Sequence, residues 1–229
     1  MCFSFSSIKQ LLRWSIFALI FFPVSVFASV QEEISKGDTA FKLGQLKVDL
    51  FNDTRSDIKY ILRGENRMNS FIGYTSPELI DGLNISINSI SQSIGNGKSF
   101  ALNYANDKIK AALAIEQNLK GYDGQRFSIM LPLAGIDLGL LHQSSKKLST
   151  GKSYSGHVVS LKRKVSNKGS VYVQNAASDM KIVSGSQNSI GYTYKINKTT
   201  KAFAHYSILN KADSADDITF ASIGFEYKF

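Results

Sequence analysis

The sequence predicts an all-β protein, a transmembrane antiparallel barrel of about twelve strands, and three observations carry that expectation. Apolar and polar residues alternate with the strand period of two along nearly the whole chain after residue 39. The less apolar face of each segment is rich in glycine, serine and charge, which suits a wet lumen better than a packed core. The stretches between segments are alternately short and long, as when tight turns lie on one side of a membrane and loops on the other.

The N-terminus reads as an export signal. Lys9 and Arg13 precede the apolar run from Trp14 to Ala28, which contains Pro23 and ends in Val26-Phe27-Ala28 before Ser29. That run is shorter than the ~20 residues a spanning helix needs. We therefore expect residues 1–28 to be a cleaved signal peptide, 29–38 a short N-terminal segment and 39–229 the barrel. Cleavage near Ala28 removes two basic residues and lowers the net charge from +9 to +7. It also removes Cys2 and Trp14, the single cysteine and single tryptophan, so zinc-finger, thioredoxin-like and Cys-nucleophile chemistry are excluded. The three histidines, at 142, 157 and 205, fit no short metal motif, and no cofactor site is expected.

The expected strands are 39–51, 67–75, 82–91, 98–105, 107–118, 124–133, 135–143, 153–164, 169–178, 188–196, 199–209 and 217–229. Phe100, Leu102 and Tyr104 oppose Ala101 and Asn103. Ile109, Ala111, Leu113 and Ile115 oppose Lys110, Ala112, Ala114 and Glu116. Phe127, Ile129, Leu131 and Leu133 oppose Arg126, Ser128 and Met130. Val159 and Leu161 oppose Ser160 and Lys162, while Tyr192, Tyr194 and Ile196 oppose Gly191, Thr193 and Lys195. The last segment sets Ile223, Phe225, Tyr227 and Phe229 against Ser222, Gly224, Glu226 and Lys228. Connections 52–66, 144–152, 179–187 and 210–216 read as long, and 134–135, 165–168 and 197–198 as tight; residues 75–82 and 105–107 fit the alternation less well. Aromatic residues near segment ends, including Tyr192, Tyr194, Phe203 and Tyr206, read as interfacial girdles.

With these segments in order, the chain resembles the general, trimeric porins of Gram-negative outer membranes. Ile223-Gly-Phe-Glu-Tyr-Lys-Phe229 is similar to that family's closing strand, and the resemblance implies that Phe225, Tyr227 and Phe229 form the signal read by the barrel-assembly machinery. Residues 188–206 resemble the family's penultimate hairpin, and Tyr154–Lys164 leading to Ser170–Val173 repeats that form. Asn69-Ser-Phe-Ile-Gly-Tyr-Thr-Ser-Pro-Glu-Leu-Ile-Asp-Gly-Leu83 resembles the strand and turn after the constriction loop, and Phe41–Val48 the strand before it. The resemblance covers about residues 40–229. It departs where the family has Gly-Arg and this chain has Asp49-Leu50, and where Gly73 replaces an arginine. The family is typically sixteen-stranded, so beside it this chain looks as if the four strands before the constriction loop are missing, and closure of such a shortened barrel would pair 39–51 with 217–229.

The resemblance implies an outer-membrane channel for passive diffusion of small hydrophilic solutes and ions, with homotrimerisation and outer-membrane lipid as its surroundings. By position, 52–66 is the loop that folds inward and narrows the pore. It interleaves Arg55, Lys59 and Arg63 with Asp53, Asp57 and Glu65, followed by Arg67, so opposed charges there set up a transverse field. Lys47, Lys110, Lys162, Lys195 and Lys228 on the polar faces outnumber Asp49, Glu116, Asp137 and Glu226, which predicts a weak anion preference; lysines near strand ends that snorkel to lipid phosphates are the plainer explanation. A closed or plugged barrel with a structural or adhesive role, a channel for acidic oligosaccharides, and a shortened relative that no longer conducts are the other readings. An enzyme is not expected, because no nucleophile motif accompanies the histidines. Nucleic-acid binding is not expected either, because the positive charge follows no recognition motif.

Overall fold

The computed structural model describes residues 48–51, 57–58, 61–63, 71–93, 95–180, 185–212 and 217–227, together with two short strands at 40–42 and 65–67. Those two, β1 (Ala40–Lys42) and β2 (Glu65–Arg67), pair with each other. Eleven strands form one antiparallel sheet in strict chain order: β3 (Phe71–Thr75), β4 (Leu83–Ile90), β5 (Gly97–Ala105), β6 (Lys110–Leu119), β7 (Tyr122–Leu133), β8 (Ile136–Lys147), β9 (Ser153–Lys164), β10 (Gly169–Ser178), β11 (Gly185–Lys195), β12 (Thr200–Lys211) and β13 (Ile218–Tyr227). Every neighbour is the next strand in sequence, as hairpin connections require.

The sheet is inside out. Its inward face buries Gln143, Gln187, Ser128 and Ser207, while Leu113, Phe127, Val159, Ile190 and Tyr206 stand exposed on the outer face. No soluble sandwich arranges its side chains this way, because desolvating polar groups and leaving an apolar surface in water are both unfavourable. The arrangement is stable when the outer solvent is lipid.

Three expectations are corrected. Among the described residues, 39–51 contributes no strand paired with 217–229: 40–42 is extended and pairs with 65–67, 48–51 is not strand, and β3 and β13 are the sheet edges. The loop asymmetry is weaker than the sequence suggested. β8 runs on to Lys147, and β6 turns into β7 through Lys120-Gly121 alone, both at positive φ like the Ala134-Gly135 turn at the other end. The extra length of β8 is 144–147, with Ser144 and Lys146 on the outer face and Ser145 and Lys147 on the inner one, polar on both sides and therefore invisible to an apolar alternation. Phe203 is not a girdle residue: it lies inside, over Gly224, where any Cβ would meet its ring.

Candidate functional site

The inward face carries two zones. The first is an apolar row that crosses neighbouring strands: Leu141 is directly opposite Val158, and Val158 directly opposite Ala176. On it sit the described residues of the stretch 48–63, of which Val48, Ile58, Ile61 and Leu62 are fully buried in one cluster with that row, Met180 and Leu209. Two inward glycines make room for it. At Gly139 a Cβ would come within 3.2 Å of Val48 Cγ1, and at Gly156 it would collide with Leu62 Cδ2.

Polar contacts fix the ends of this stretch. Ser160 Oγ donates to the Val48 carbonyl at 2.9 Å, and the Leu50 amide donates to Gln174 Oε1 at 2.9 Å. Arg126, buried in the wall, donates through its guanidinium to the Arg63 carbonyl at 2.7 Å and to Gln143 Oε1 at 2.8 Å. Arg63 in turn donates from Nε to the Met180 carbonyl at 3.0 Å, with its guanidinium 3.9 Å over the ring of Tyr122. Phe51 enters an aromatic slot, 5.0 Å from Tyr172 and 5.7 Å from His205 between ring centroids, and Phe203 stacks on His205 at 5.9 Å.

Asp49 organises the turn. Its Oδ1 accepts the Phe51 amide and Gln174 Nε2, each at 2.9 Å, and its Oδ2 accepts the Ile58 amide at 3.3 Å. Burial pushes its carboxyl up from 3.8 to about 6, the nearby Asp57 adding to the rise while the three hydrogen bonds hold it back.

The second zone is a vestibule of about 960 Å³ at the end of the sheet that carries the 165–168 and 196–199 connections. Lys162, Lys164, Lys168, Lys195, Lys198 and Lys201 line it, against Asp137 and Glu226; Tyr172, Phe203 and Leu50 form its inner limit. Lys195 lies directly opposite Lys201 in the register, and Lys201 Nζ pairs with Glu226 at 2.7 Å. Lys162 stands directly opposite Asp137 on one side and Tyr172 on the other.

Of the residues expected to constrict the pore, Asp57 is buried and Arg63 is half-buried and engaged with the wall. Asp53, Arg55 and Lys59 lie outside the described residues, as do the side chains of Glu65 and Arg67. Of the lumen candidates, Lys162, Lys195 and Glu226 meet in the vestibule, Lys110 is exposed at the start of β6, and Glu116 is buried near the opposite end, close to Gly124. Lys47 and Lys228 lie outside the described residues. Phe225 and Tyr227 are exposed on the outer face, and Phe229 lies outside the described residues. His142 and His157 face each other across β8 and β9 on the outer face, and His205 is buried inside. Sequence reasoning did not assign Arg126, Gln174 or the lysines at 164, 168, 198 and 201 to the site. Arg126, Gln174, Lys164 and Lys201 carry only an inward parity, shared with residues that the register alone brings together, and Lys168 and Lys198 lie in turns, where there is no parity to read.

The fold is that of a porin sheet. No family model matches the sequence, and no curated protein does. Among solved structures, the chain is similar to the anion-selective porin from Comamonas acidovorans, with 18% identity, a TM-score of 0.61, and 85% of this chain and 65% of that chain covered. An engineered variant of the Rh. blastica porin gives 16%, 0.61, 85% and 71%. Salmonella typhi OmpF in complex with daunomycin gives 14%, 0.54, 69% and 61%. The chain thus spans just under two thirds of the Comamonas and Salmonella proteins it matches.

Proposed function

We propose that this chain forms an outer-membrane channel through which small hydrophilic solutes and ions diffuse passively, narrowed by the stretch that begins at Val48 and weakly selective for anions. The observation that carries the reading is the inverted sheet: an apolar belt outside and a polar wall within make a water-compatible path through lipid. The stretch 48–63 seated on that wall supports the constriction, and the loop charges from Asp53 to Arg67 belong to the same proposal. The basic vestibule supports the anion preference, and one of the porins this chain resembles is itself described as anion-selective. Export through residues 1–28, recognition of the C-terminal aromatic pattern by the assembly machinery, and homotrimerisation complete the reading.

Refolding the chain into a planar bilayer under a salt gradient tests it. Stable ohmic steps with a reversal potential of anionic sign are expected. Replacing Lys162, Lys195 and Lys201 by Gln together shifts the reversal potential toward cations. A plugged structural barrel is the second reading, favoured by the apolar seating of Ile58, Ile61 and Leu62. A folded, membrane-inserted protein that gives no steps selects it.

A further inference from the structure

We propose that the vestibule is a binding site for clustered phosphate-type anions, a substrate class more specific than the small solutes of a diffusion channel; the proposal rests on the barrel reading only for its access route. Six lysines and two carboxylates line the space, leaving a net charge of +4. Glu226 pairs with Lys201, whereas Lys162, Lys164, Lys168, Lys195 and Lys198 have no ion-pair partner among the described residues. Lys195 and Lys201 are direct cross-strand neighbours with side chains on the same face, a like-charge pairing that is unfavourable and that Glu226 relieves only at the Lys201 end. An anion between them converts that repulsion into attraction.

The geometry favours charges packed close together. A volume of about 960 Å³ corresponds to a sphere roughly 6 Å in radius, smaller than the Debye length of about 8 Å at physiological ionic strength, so all the lysines act on one guest with little mutual screening. A guest carrying several negative charges within that radius collects the whole field, and a monovalent ion collects a fraction of it. Oligophosphates meet this condition because each phosphorus carries charge and the units are directly linked. An acidic oligosaccharide carries one carboxylate per ring and places few charges inside at once. Lysine ammonium groups also suit phosphate, as point charges with three freely oriented donors. The hydroxyls of Ser170, Thr193 and Thr200 line the same space and donate to the remaining oxygens. Leu50, Tyr172 and Phe203 close the inner end with largely apolar surface.

The test uses tripolyphosphate and monophosphate on the refolded full chain, read two ways. Calorimetric titration in micelles measures binding, and single-channel recording measures block from each side of the bilayer. We expect tripolyphosphate to bind at least about tenfold tighter than monophosphate, and to block only from the side carrying the 165–168 and 196–199 turns. The triple variant Lys162→Gln, Lys168→Gln, Lys195→Gln should lose about tenfold in tripolyphosphate affinity. The variant Lys120→Gln, Lys146→Gln, Lys152→Gln, with the same charge loss at the opposite end, should change by less than about twofold. Equal affinity for the two phosphates, or equal losses in the two variants, overturns the site. Conductance without tripolyphosphate binding overturns it while leaving the channel intact. Binding without conductance supports it and removes the channel reading.

Discussion

Asp49 makes the seating of the 48–63 stretch depend on pH, and the direction follows from its environment. The carboxyl titrates near 6 when seated and near 3.8 when exposed in the unfolded chain. The folded state therefore binds the proton more tightly, and stability rises as pH falls between those values. Relative to alkaline conditions the gain is fully present below 3.8 and is lost as pH rises through 6. A rise from 3.8 to about 6 corresponds to about 3 kcal/mol of destabilisation at pH 7.5, most of which is gone at pH 4. Asp49→Asn mimics the protonated acid: its oxygen still accepts the Phe51 amide and Gln174, and only the longer bond from the Ile58 amide is lost. Urea unfolding of both proteins, refolded in micelles, should show the stability difference between them changing by about 2 kcal/mol between pH 7.5 and pH 4, the variant gaining most at pH 7.5. The fixed cost of the substitution cancels in that comparison, as does the titration of His205 beside Phe51. A variant less stable than the parent by the same amount at both pH values would refute the reasoning, because it would mean that the ionised carboxylate earns its three hydrogen bonds at no net desolvation cost.

Two further outcomes test the orientation of the sheet and the seat. Val159→Arg places a charge at mid-strand on the outer face and should cost about 2–4 kcal/mol in vesicles, measured by the same unfolding; unchanged stability there would mean that this face does not meet lipid. Gly156→Ala should cost about 1–3 kcal/mol, because the new methyl meets Leu62 and Ser178, and an unchanged urea midpoint would show that 48–63 is not seated on β9.

Much of the fold was legible because lipid and lumen impose opposite chemistry on successive residues. Segments 153–164 and 169–178 match the observed strands residue for residue, since each has apolar residues on one face and the two share the short polar turn 165–168. The seat was not legible. Leu141, Val158 and Ala176 occupy inward positions that alternation assigns to a wet lumen, and their adjacency appears only when β8, β9 and β10 are placed in register. For the same reason the period of two in 39–51 misled: alternation records amphipathicity, and Val48 satisfies its apolar side against the inner wall instead of against lipid. The lysines followed the same rule in reverse. Lys162 and Lys195 were legible one at a time by parity, but turn residues such as Lys168 and Lys198 have no parity to read, so the cluster exists only in three dimensions.

The two zones of the inner wall are joined at one residue. Leu50 closes the inner end of the basic vestibule, and its amide is held by Gln174, the same side chain that donates to Asp49. The stretch is therefore held by the apolar contacts of Val48, Ile58, Ile61 and Leu62 and by a carboxylate at the end nearest the lysines. That placement has an electrostatic consequence. An ionised Asp49 is a negative charge immediately behind the vestibule and opposes an incoming anion, whereas the protonated form removes that opposition and seats the stretch more firmly. If the chain is the proposed channel and the vestibule the proposed anion site, firm seating of the stretch and capture of anions are thus favoured by the same proton. The stretch and the vestibule do not compete for the lysines, because the seat of the stretch is made almost entirely of Leu, Ile, Val and Ala side chains that carry no charge to neutralise them.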